Sequence, residues 1–121
     1  MFFIFGTQFL GEYLGWDVTI WYFDLIMHFW GGVWVTLFFI YIFSMLRPVS
    51  LGPWLILAVA FCTLAVGIAW ELYEFLLNVI SLTPFDAWDT ALDIVFDFLG
   101  SLAAIFFYFK IIMPIPRNRV E

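Results

Sequence analysis

Apolar residues run almost unbroken through three stretches, about residues 18–46, 51–79 and 88–112. Each reaches the roughly 20 residues a helix needs to cross about 30 Å of hydrocarbon. Turn signals separate them: "LRPVSLGPW" and "SLTPFDAWD" both carry proline, which removes a backbone donor and disfavours helix in the residue before it. The pattern predicts an all-α membrane protein of three transmembrane helices, preceded by a short interfacial segment, "MFFIFGTQFLGEYLGW". That opening lacks a basic n-region and a small-residue cleavage site, so it does not read as a signal peptide. No repeat, low-complexity tract or linker interrupts the sequence, and residues 1–121 are expected to form a single transmembrane bundle.

The interruptions of the apolar pattern are acidic. Asp24 and His28 stand four apart in the first span, Glu71 and Glu74 three apart in the second, and Asp89, Asp93 and Asp97 recur at every fourth position of the third. Residues three or four apart share a helix face, so each span gathers its polar groups on one side. Gly31, Gly32, Gly67, Gly100 and Ala104 extend those faces with small residues that let membrane helices approach closely. Asp86, with Asp89 three residues on, resembles a capping box, and helix capping near the surface is the expected task of both.

Composition agrees: 66% of residues are hydrophobic and 12% charged, against about a quarter charged in soluble chains. Cys62 has no partner, which excludes a disulfide framework and a Cys-based metal site. The four basic residues, Arg47, Lys110, Arg117 and Arg119, all fall on the side reached by the first connection and the end of the third span. The positive-inside rule makes that side cytoplasmic and puts the N-terminus outside and the C-terminus in the cytoplasm. Trp16, Trp21 and Trp88 then stand at the outer interface and Trp54 at the inner one. With net charge −6 and bases confined to one face, nucleic acid is excluded as a partner, and the lipid bilayer is the expected one.

At about 1.5 Å rise per residue, His28, Glu71 and Asp97 reach one level roughly 12–16 Å below the outer boundary, with Asp24, Glu74 and Asp93 above them. Carboxylates facing lipid at mid-helix cost roughly 2.5–3.5 kcal/mol each, so Asp24, Glu71, Glu74, Asp93 and Asp97 together would cost on the order of 15 kcal/mol. That rivals the net stability of a typical domain, about 5–15 kcal/mol. Every Lys and Arg is on the other side. Four escapes stay open: a bound cation, protonation, a hydrated cavity opening outward, or basic groups on a partner chain. The cation reading takes His28, Glu71, Glu74, Asp93, Asp97 and Asp24 as metal ligands. Oxygen donors with one imidazole suit Mg, Ca, Mn, Zn or iron better than a soft copper site. The carboxylates partly resemble helical di-metal sites, without their Glu-x-x-His motif. Met27 is expected to pack rather than ligate, and Trp70, Tyr73 and Trp30 to fill space.

The ordered motifs "DLIMHFWGG", "WELYEF" and "WDTALDIVFDFLGS" resemble the core of the YjdF-like family of small bacterial inner-membrane proteins, over about residues 20–104. More distantly the chain is similar to VanZ-like proteins, which share an Asp-x-x-x-His helix followed by Glu-bearing and Asp-bearing helices. The resemblance implies a bacterial inner-membrane location and a shared site, and it carries no reaction. Asp97 stands where the YjdF-like pattern has a small or apolar residue, and Ala91 where it tends to have Gln.

Two function classes follow. One is an envelope enzyme or ion-handling protein built around a divalent cation near the outer face. The other is an accessory subunit of a larger membrane complex, its acids paired with other membrane subunits or lining a hydrated cavity. No residue stands out as a catalytic nucleophile.

Overall fold

The computed structural model describes residues 2–46 and 53–112. Helix α1 (Phe2–Leu14) and the single turn α2 (Trp16–Thr19) precede three long helices, α3 (Phe23–Leu46), α4 (Pro53–Ser81) and α5 (Ala87–Phe107), and α5 runs on into a π-helical turn at Tyr108–Ile112. The three long helices, with 24, 29 and 25 residues in their apolar segments, are long and apolar enough to cross a bilayer. The fold is all-α and multi-pass, with a short helical segment ahead of the first span.

The first span begins at Phe23 rather than near residue 18. Gly15 adopts the left-handed conformation, φ 69°, which separates α1 from α2. The chain then leaves helix at Ile20–Tyr22, with the Phe23 amide bonding the Ile20 carbonyl. Hydropathy is continuous through "VTIWYF" and carries no trace of this backbone break. The second span ends at Ser81, two residues later than expected, where Leu82 takes φ 57° and the Thr83 amide reaches back to the Asn78 carbonyl in a Schellman-type stop. The expected turn at Arg47–Gly52 lies outside the described residues, as do Arg117 and Arg119.

Asp86 caps α5: its Oδ1 accepts from the amides of Trp88 (2.9 Å) and Asp89 (3.3 Å). The reciprocal bond of a true capping box, in which the Asp86 amide donates to the Asp89 side chain, is not among the hydrogen bonds of the described residues. Trp21, Trp54 and Trp88 are exposed at the ends of their spans, whereas Trp16 packs edge-on against Phe23.

Each long helix turns a stripe of nearly every fourth residue inward: His28, Gly32, Thr36 and Ile40 on α3, Glu71, Gly67, Thr63 and Val59 on α4, and Asp93, Asp97, Ser101 and Ala104 on α5. Numbering rises together on α3 and α5 and falls on α4, so α3 and α5 are parallel and α4 is antiparallel to both. Close approach of α3 and α5 depends on glycine. A Cβ at Gly32 would overlap the Asp97 carbonyl, and one at Gly100 the Phe29 carbonyl. Among the described residues four hydrophobic ones are buried, against seven polar or charged ones. The interior is thus more polar than the surface, as expected where the surface faces hydrocarbon rather than water.

Candidate metal centre

The stripes stack into layers along the axis. At the end where α3 and α5 begin lie Asp24 and Glu74, half-buried. Below them His28, Glu71, Asp93 and Asp97 are all buried, Asp93 to 1% exposure. A layer of glycines follows, then a layer of hydroxyls, and finally Ile40, Val59 and Ala104 close the interior with apolar side chains.

His28 stands at the centre of the acids. Its Nε2 lies 3.9 Å from Asp24 Oδ1, 3.8 Å from Glu71 Oε1 and 4.0 Å from Asp93 Oδ1. Its Nδ1 lies 3.5 Å from Asp97 Oδ2. These separations exceed the usual 2.7–3.2 Å of an N–H···O hydrogen bond. Glu71 Oε1, Asp93 Oδ1 and Asp97 Oδ2 are buried with no hydrogen-bond partner among the described residues. Leaving a buried acceptor unmatched costs about 1–3 kcal/mol, more when it is charged.

Two sets of donor atoms, Asp24 with His28 and Asp93, and His28 with Glu71 and Glu74, each lie within 4.8 Å of one another. Donors sharing one ion at about 2.1 Å stand up to about 4.2 Å apart, and at about 2.4 Å up to about 4.8 Å. The gaps around Nε2 are too wide for direct bonds and about right for a common ion. The cluster is capable of coordinating a metal. Among the described residues the one Lys or Arg is Lys110, about 20 Å further along α5 at 1.5 Å per residue, with its ammonium over the Phe106 ring.

Neighbouring residues hold the acids in place. Gly67 makes room for Asp97: a Cβ there would overlap Asp97 Oδ2. Trp70 Nε1 donates to Glu74 Oε1 at 2.7 Å, one helical turn along α4. Asp86 and Asp89 stay exposed and outside the cluster.

All six residues singled out from the sequence therefore converge, but not equivalently. Asp97 faces Nδ1, on the opposite side of the imidazole from the acids around Nε2. Trp70 does more than fill space, since it holds Glu74, while Trp30 and Tyr73 are about half exposed on the outer surface and fill no interior space. Sequence reasoning missed the hydroxyl layer. Thr36 Oγ1 donates to Ser101 Oγ at 2.8 Å and meets Thr63 Oγ1 at 2.9 Å, with Thr63 also donating to the Val59 carbonyl at 3.0 Å. The signal was present: these residues lie eight after His28, eight before Glu71 and four after Asp97, on the acidic stripes.

The sequence profile of the family described as "Predicted membrane protein (DUF2238)" matches residues 1–113, so the chain belongs to that family. No curated protein and no solved structure matches the chain. Membership supports a small membrane protein and does not by itself establish the YjdF-like or VanZ-like relation.

Proposed function

We propose that this member of the DUF2238 family holds a divalent cation within the membrane, bound by His28 Nε2 with Asp24, Glu71 and Asp93, with Glu74 at the rim, and that the ion serves an envelope enzyme or ion-handling role. The observation that carries this reading is the ring of three carboxylates at 3.8–4.0 Å around one imidazole nitrogen, two of which, Glu71 Oε1 and Asp93 Oδ1, are buried with no hydrogen-bond partner among the described residues. Asp97 is the orienting group: a carboxylate on Nδ1 fixes the ring and its tautomer and leaves Nε2 free to ligate. A bound cation supplies Lewis acidity, polarising a substrate oxygen or making a bound water more acidic. The YjdF-like resemblance fits, since its three motifs are the ones that furnish these ligands. The distribution of bases supports the cluster lying toward the outer face of the inner membrane.

Chelation tests the reading. Removing a cation leaves the carboxylates facing one another, so a chelator lowers thermal stability at neutral pH. It does so much less at acidic pH, where protons take the cation's place. Glu71→Gln and Asp93→Asn weaken the chelator effect and leave the protein folded. A chelator-insensitive protein whose stability depends on a co-purifying basic chain would make it an accessory subunit instead.

A further inference from the structure

A groove of about 300 Å³ opens between α3 and α4, walled by Val35, Phe38, Phe39, Val66 and Trp70 and ending at His28 and Asp97. We propose that it takes the hydrocarbon chain of a phosphate-bearing membrane lipid, whose headgroup lies over the carboxylate cluster. The headgroup half of this inference rests on the proposed cation; the tail half does not.

Direction is the first argument. The groove's wall on α3 runs from Met27 to Phe39, about 18 Å at 1.5 Å per residue, parallel to the helices. It starts beside His28, about 8 Å in from the start of α3 at Phe23, and descends through mid-membrane. A lipid of the leaflet on the cluster's side has that polarity, with its head near the helix ends and its tail descending.

Width is the second. A helix about 10 Å across and about 18 Å long fills roughly 1,400 Å³, several times the space present. A further helix can lie against the mouth but cannot enter, whereas a flexible chain can. The volume is at the lower end for small-molecule sites, roughly 300–1,000 Å³, and like them the groove has apolar walls and a few polar groups at one end.

Continuity is the third. Trp70 is shared: its ring walls the groove while its Nε1 holds Glu74. Asp97 lines the groove's end and contacts His28 Nδ1. An anionic headgroup is repelled by five carboxylates alone and attracted once a cation is among them. The site as proposed therefore favours a phosphate over an uncharged head.

The test uses the full chain in nanodiscs doped with phosphatidylglycerol carrying a diazirine halfway along one acyl chain, or with diacylglycerol carrying the same chain. Photolabelling is expected to concentrate on Val35, Phe38 and Val66, several-fold above the outward-facing Ile68 and Leu72, and phosphatidylglycerol is expected to label more than diacylglycerol. Val66→Trp or Val35→Trp fills the groove and removes the enrichment, while Ile68→Trp leaves it unchanged. Label spread evenly around the three helices overturns the proposal. So does native mass spectrometry showing a second protein chain, with Val35 and Val66 labelled only after it dissociates. Equal labelling by both lipids overturns the headgroup assignment. Elemental analysis of the same samples separates the two readings. Metal-bearing protein with uniform labelling keeps the cation and sinks the groove, and groove labelling of metal-free protein does the reverse.

Discussion

Gly67→Ala is the perturbation that most sharply divides the chemistry of the site from its packing. The added methyl overlaps Asp97 Oδ2, the tip of a side chain, so the carboxylate can swing away and the helices need not move. The expected loss is the contact between Asp97 and His28 Nδ1, which stands at 3.5 Å. Losing the partner that orients a ligating histidine typically costs 10–100-fold in metal affinity, about 1.4–2.8 kcal/mol. The metal-free fold should change by less than about 1 kcal/mol, helped by the higher helix propensity of alanine. Gly32→Ala is the contrasting case. Its methyl meets the backbone of Asp97 rather than a movable tip, so α3 and α5 must separate, at about 1–3 kcal/mol or more. Titration calorimetry with Mn²⁺ in detergent, beside thermal unfolding in chelator, measures both quantities. Gly67→Ala binding Mn²⁺ as tightly as the parent, or unfolding as readily as Gly32→Ala, would refute the assignment of Asp97 as the orienting group.

Thr36→Val removes the hub of the hydroxyl layer and should destabilise the bundle by about 0.6–1.7 kcal/mol, more than Thr63→Val, in unfolding from bicelles; metal affinity should hardly move. Asp86→Ala removes the cap of α5 and should cost about 1 kcal/mol in the same assay, again without touching the ion site. Reporter fusions at the two ends should give an outward N-terminus and a cytoplasmic C-terminus, and the reverse result would move the cluster to the cytoplasmic leaflet.

The convergence of the acids was legible because it rests on periodicity. Three- and four-residue spacings put Asp24 with His28, Glu71 with Glu74 and Asp93 with Asp97, and alternating helix directions brought the groups to one end. Helix type and number followed from apolar length. What spacing could not reach was geometry within a layer. Whether Asp97 meets Nδ1 or Nε2 is decided by the ring's orientation and by the space left at Gly67. The helix break at Ile20–Tyr22 arises from backbone conformation in residues as apolar as those around them. The groove lies between α3 and α4, beside the close approach of α3 and α5 that glycine allows, and hydropathy does not encode such differences in helix separation. The hydroxyl layer was overlooked because Thr and Ser read as neutral in an apolar run, although they lie on the stripes the acids mark.

The central claim, that an ion offsets these buried carboxylates, is tested most directly by elemental analysis of the protein purified without added metal and without chelator. The cation reading predicts a divalent metal at about one per chain, retained through dialysis and lost in Asp93→Asn. Metal-free protein that is equally stable with and without chelator, and takes up no Mn²⁺ or Zn²⁺ on titration, would contradict it.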